Sequence, residues 1–215
     1  MGLSKKSKIL LGSFLGLLSL NEFKAYYKQI KEVKLMEERL LLPIYELSEE
    51  ELINPPWTEN FDDWKFRRVK ITGRYKHRFS MYITDKIHDY EGYQFILPMV
   101  TSEDENYENQ RGILINKGWL PHERKELGNR GGLEDSFTKQ SVIGIVTKGE
   151  PFTSSRFLRR GNVVDQQRFI FNSIDLQEMA KASQLVNTDQ ASKAVIRLIT
   201  KDWDRYDKNS PHFYD

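Results

Sequence analysis

The sequence predicts a mainly β (α+β) protein: an antiparallel barrel-like or sandwich domain of about seven strands behind a long, partly membrane-embedded N-terminal helix. Two observations carry this. Apolar residues recur every three or four positions up to Pro43 and every second position from Trp64. Short runs rich in Val, Ile, Phe and Tyr then alternate with turn-rich links in no βαβ rhythm. The charge is nearly balanced, +2 net from 33 basic and 31 acidic residues, so the chain as a whole gives no argument for a polyanionic partner.

The first element is "ILLGSFLGLLSL", residues 9–20, which is uncharged but shorter than the roughly 20 apolar residues of a spanning helix. With Lys8 and Lys24 reaching toward the two interfaces, and Phe23, Ala25, Tyr26 and Tyr27 continuing the helix, a short span is expected; Glu22 is its awkward member. Lys5, Lys6 and Lys8 before an apolar run also suit a secretory signal, but no small-residue cleavage site follows, so a retained helix is favoured over a cleaved or interfacial one. Gly12 and Gly16 form a GxxxG pair, which in so short a run reads as two ordinary glycines. Phe23, Tyr26, Tyr27, Ile30, Val33, Met36 and Leu40, with Lys and Glu between them, extend the helix amphipathically until Leu42-Pro43 ends it.

Residues 1–45 therefore form the helical segment and 46–63 an exposed acidic linker. That linker holds Glu46, Glu49, Glu50, Glu51, Glu59, Asp62 and Asp63, no basic residue, and Pro55-Pro56, with room for one short helical turn. The β domain spans 64–200. Its first strand, "WKFRRVKITGRYKHRF", sets Val69, Ile71, Gly73, Tyr75, His77 and Phe79 against Arg68, Lys70, Thr72, Arg74, Lys76 and Arg78. "SMYITDK", "GYQFILPMV", "RGILINKGW", "KQSVIGIVTKG", "QRFIFNSI" and "SKAVIRLIT" follow as strands, and Asp175 is placed to cap a short helix, "LQEMAKASQ". Residues 201–215 are a polar, aromatic tail.

The sequence holds little that resembles an active site. It has no cysteine, so disulfides, thiol catalysis and thiolate metal sites are absent. His77, His88, His122 and His212 show no metal-ligand spacing, and no GxGxxG, P-loop or GxSxG occurs. Glu103, Asp104 and Glu105 sit in a loop too polar for burial to tune a carboxylate. No catalytic residue, cofactor or metal is assigned.

The strongest local signal for a ligand is the basic strand face of Arg68, Lys70, Arg74, Lys76 and Arg78. Tyr75 and Phe79 fall on the opposite pleat, whereas base stacking needs rings and cations on one surface, so anionic lipid or an acidic partner is favoured over nucleic acid. A merely solvated face is the plainer alternative.

Phe66-Arg67-Arg68-Val69 with Gly73 and Tyr75, then Gly92-Tyr93 with Pro98, then "GILINKGWLP" with Gly112, Asn116, Gly118, Trp119 and Pro121, is similar in order and spacing to the Surfeit locus protein 1 family of cytochrome c oxidase assembly factors. "FNSIDLQEMAKA" resembles a later piece of the same pattern. The resemblance runs from about residue 8 to 199. It implies a protein of the mitochondrial inner membrane or bacterial plasma membrane, a membrane helix at each end, and a β-rich domain facing away from the matrix or cytoplasm. It also implies early assistance to the oxidase, linked in the family to the handling of haem a. Lys117 stands where the family favours Arg, and Leu97 where it favours Thr before Pro98. After Ala194–Thr200 comes "KDWDRYDKNSPHFYD" in place of a second membrane helix, so no haem-ligating histidine is carried over.

The resulting expectation is a non-catalytic, single-pass protein of the mitochondrial inner membrane with its β domain in the intermembrane space, touching oxidase subunits, with anionic lipid as a further candidate partner. Trp203, Tyr206, Phe213 and Tyr214 among charges suit an interface, which favours a resident accessory subunit of the oxidase or a supercomplex. A transient assembly factor is the alternative, and a lipid- or nucleic-acid-binding β module the further one. Trp119 is expected as a structural plug at a strand end, with an oxidase contact as the other reading.

Overall fold

A computed structural model describes residues 5–87, 90–102, 109–121, 138–149, 163–166 and 169–199. The chain divides into two compact units, Met1–Leu42 and Pro43–Asp215. The first is a single helix, α1 (Lys5–Leu41), with Arg39 in its last turn opposite the partial negative charge of the helix end. A long helix is thus present. Among the described residues, however, no helix is long and apolar enough to cross a membrane, because Asn21 and Glu22 close the uncharged stretch and lysines follow. The membrane-embedded part of the expectation gains no support from the fold.

The second unit contains β1 (Tyr45–Glu46), α2 (Glu49–Ile53), a 3-10 turn (Pro56–Thr58), α3 (Phe61–Trp64), β2 (Arg68–Tyr75), a 3-10 turn (His77–Phe79), β3 (Met81–Ile87), β4 (Tyr90–Val100), β5 (Gly112–Pro121), β6 (Gln140–Thr147), β7 (Val163–Asp165), β8 (Ile170–Phe171), α4 (Leu176–Ala182), α5 (Thr188–Ala191) and β9 (Val195–Leu198). Each of the seven strands expected from the sequence corresponds to one of these. The sheet runs β1-β2-β6-β9-β5-β4-β3-β8-β7, and an additional β2–β4 pairing closes β2, β6, β9, β5 and β4 into a five-stranded barrel. Of the two architectures left open by the sequence, the barrel is the one formed. Its pairing is not wholly antiparallel, since β1–β2, β5–β9 and β3–β8 are parallel.

β4 makes closure possible by serving two partners along one edge. Residues from Tyr90 to Ile96 pair with β3, whereas Met99 and Val100 pair with Tyr75 and Arg74 of β2. Pro98 marks the handover, its carbonyl accepting the Lys76 N–H at 2.9 Å. In a strand the N–H and C=O of one residue point to the same side, so the donor that proline lacks falls at the corner between β2 and β3.

Val69, Ile71, Tyr75, Leu97, Met99, Ile113, Ile115, Val146 and Ile196 fill one core. A second core packs α4 onto the sheet through Leu176 and Met179 against Met81, Ile83, Ile96, Leu114 and Val195. Asp175 caps α4 as expected, its carboxylate accepting the N–H groups of Gln177 and Glu178. The stretch 46–63 departs from an exposed linker: Leu47, Leu52 and Trp57, the last 1% exposed, are buried in the first core. Its acidic residues obscure this because they sit between the buried ones, with Ser48 and Glu51 forming a reciprocal cap on α2.

Candidate functional site

The sequence "INKGW" builds the most specific feature of the barrel. β5 pairs Gly118 with Phe95 and Asn116 with Ile96, which leaves Lys117 as an extra residue in a bulge. Gly118 has φ 106°, a region that favours glycine. Asn116 fixes the turn by accepting the Gly118 N–H at Oδ1 (2.8 Å) while its Nδ2 donates to Gln94 Oε1 (2.9 Å). Gln94 Nε2 in turn donates to Asp85 Oδ2 (3.0 Å), so a polar chain ties β5 to β4 and β3.

Trp119 follows the bulge and is buried, 7% exposed. Its indole lies on Gly92 of the neighbouring strand, where any Cβ would collide with the ring and with the Leu120 carbonyl. Gly92 and Trp119 are thus one packing unit, a glycine in a strand covered by a cross-strand aromatic. The indole Nε1 is buried without a hydrogen-bond partner among the described residues.

Lys117, displaced by the bulge, reaches the end of the barrel core. Its ammonium lies 4.8 Å from the centre of the Tyr75 ring. Tyr75 is 2% exposed, and burial pushes its phenol up to about 12. Burial likewise lowers the Lys117 ammonium below the ordinary lysine range. His77 stands beside the same tyrosine, ring centres 5.8 Å apart. This grouping was not visible in the sequence; Asn-Lys-Gly, a turn signal inside a strand pattern, is the feature that could have revealed it.

The basic strand is only partly realised. Arg68, Lys70 and Arg74 occupy alternate, half-buried positions of β2 opposite Val69, Ile71 and Tyr75. The alternation then ends in the 3-10 turn, which buries Lys76 to 3% exposure with its ammonium 4.7 Å from the Phe79 ring centre and leaves Arg78 exposed on the turn. The five cations therefore do not form one face: the chain turns a corner at Lys76, where the sequence pattern runs straight on. Lys70 is paired with Glu46 at 2.7 Å.

At the start of β2, Phe66 is left-handed (φ 66°) and sets Arg67 against the rings of Trp64 (5.1 Å) and Tyr45 (5.6 Å). Tyr45 donates to Glu51 Oε1 at 2.6 Å; this bond raises the phenol above its usual range and holds the carboxylate below its own. Gly73 is the last β2 residue paired with β6 before the strand meets β4. Gly112 is clamped by Asn187, which accepts its N–H at 3.0 Å and donates to its carbonyl at 3.1 Å. Pro121, buried, ends β5 opposite Gly92. The tail residues Trp203, Tyr206, Phe213 and Tyr214 lie outside the described residues, as do His88, His122, His212 and Glu103 to Glu105. Among the described residues no group of His, Asp and Glu is placed to hold a metal ion.

The motif residues thus meet at strand closure and at the β4–β5 corner, where they define a particular barrel. Compared with protein families, the chain matches the SURF1 family over residues 28–212. No curated protein matches it.

Proposed function

Because the chain belongs to the SURF1 family, which is associated with cytochrome c oxidase assembly, we propose that it is a non-catalytic assembly factor acting on that oxidase. The observation that carries this reading is the family match across residues 28–212, which takes in the whole barrel and its Asn116-Lys117-Gly118-Trp119 corner. An assembly factor accounts for a β unit whose family motifs serve its fold. The resident-subunit reading drew on the tail, 201–215, and gains no support from the described residues. Location at the mitochondrial inner membrane, attachment through the helical segment and a β unit in the intermembrane space belong to the same proposal. Contact of Arg68, Lys70 and Arg74 with anionic lipid or an acidic partner surface is a subsidiary part of it.

Pulse-labelling followed by native isolation of oxidase intermediates tests the proposal. The chain should accompany newly made oxidase subunits early and be absent from the mature enzyme. Stoichiometric retention in mature oxidase would restore the accessory-subunit reading, and no association at either stage would end both.

A further inference from the structure

Lys117 is a cation that the barrel holds against an aromatic face. The Asn116 hydrogen bond and the positive φ of Gly118 fix the bulge that places it there, next to Tyr75 and in line with Ile113 and Ile115 of the core. Among the described residues no carboxylate lies within ion-pairing distance of its ammonium, whose contact is the Tyr75 ring. Burial lowers its proton affinity below the ordinary lysine range. A half-buried ammonium is stabilised by an anion brought against it, because a ring face replaces only part of lost hydration.

From this placement we infer that Lys117, at the Tyr75 end of the barrel, is a binding site for a single carboxylate. One ammonium balances one negative charge. A phosphate monoester carries nearly two charges, which a single ammonium does not balance. The Gly118 N–H, next along the chain, is already taken by Asn116. The carboxylate comes either from a free organic acid or from an acidic side chain of a docking protein; both present the same group to Lys117. The site goes beyond the assembly reading and stands or falls apart from it.

The test follows the Lys117 side chain of the full-length protein by nuclear magnetic resonance during titration with four probes. These are benzoate, benzyl alcohol, N-acetyl-glutamate N-methylamide and inorganic phosphate. At least one of the two carboxylates should bind and shift the Lys117 titration upward, since an opposite charge favours the protonated form. Tighter benzoate indicates a free organic acid; tighter capped glutamate indicates an acidic peptide. Lys117→Met should weaken the better carboxylate at least about tenfold, and Lys117→Arg should retain it within a few-fold, as a charge-assisted bond requires. Lys117→Met removes a desolvated charge and so leaves the barrel folded, which the unchanged amide spectrum of the core verifies. The inference is overturned if neither carboxylate binds, if benzyl alcohol or phosphate binds as tightly, or if Lys117→Met binds as well as the parent.

Discussion

The β4–β5 corner and the outer edge of β2 use similar residues for opposite ends. At the corner, the Trp119 indole is buried over Gly92 beside a half-buried bulge. At the edge, Tyr45, Trp64 and Arg67 also stack, but Tyr45 and Glu51 remain only half-buried and Lys70 meets Glu46 with both side chains still in water. Aromatic content is therefore a poor guide to what a cluster contributes. What separates the two is the number of backbone positions each dictates. The corner fixes the register of β5 against β4, whereas the edge decorates a strand whose register β6 already sets.

The sharpest way to break this comparison is to remove the indole. Trp119→Ala should cost about 3–5 kcal/mol, read as a fall in the denaturation midpoint of the full chain. The more discriminating measurement is the coupling with Gly92. Gly92→Ala alone should destabilise by about 1–3 kcal/mol because its methyl meets the ring. In a Trp119→Ala background the ring's share of that cost should vanish, while the share due to the Leu120 carbonyl, which is just as close to the added methyl, should remain. Additive losses would show that the two residues act separately and that the corner is not one unit.

Next in size is the bulge. Gly118→Ala keeps every side-chain contact but forces an alanine into positive φ, and should cost about 1–3 kcal/mol. Asn116→Ala removes the bond that holds that turn and should add little once Gly118 has been replaced. An unchanged midpoint in Gly118→Ala would mean that the bulge relaxes freely, which would also remove the fixed placement of Lys117.

These same places mark where the sequence could be read and where it could not. Strict alternation in β2 identified Val69, Ile71 and Tyr75 as core, because one face of a strand either meets the interior or does not. It could not show that the strand turns at Lys76, where the chain is held by the Pro98 carbonyl of β4, a residue distant in sequence. The linker reading erred for a related reason. Acidic residues dominate 46–63, yet Trp57, Leu52 and Leu47 are spaced so that one side of two short turns faces the barrel core. Parallel pairing of β9 beside β5 was equally illegible, because register between distant strands leaves no local signature. Of the site, the sequence marks Gly92, Gly118 and Trp119 as a motif without showing why: Gly92 and Trp119 share one contact across two strands, and Gly118 has a positive φ in the bulge.

The smallest expected effect belongs to the β2 edge and depends on pH. Glu51 is held below the ordinary carboxylate range chiefly by the Tyr45 hydroxyl, and Tyr45 above the ordinary phenol range chiefly by Glu51. A depressed carboxylate stabilises the fold above its unfolded value, and that contribution is lost as pH falls through the lower folded value. A raised phenol stabilises below its unfolded value and loses its share as pH climbs past the folded one. The bond thus contributes across the range between these limits and weakens at both ends. Because solvent screens this half-buried pair, the contribution should stay at or below about 1 kcal/mol. Tyr45→Phe should therefore lower the midpoint slightly at neutral pH and leave stability less steeply dependent on pH in the acid range. A large loss at neutral pH would place Tyr45 with Trp119 among the residues that dictate the fold, and the distinction between corner and edge would fail.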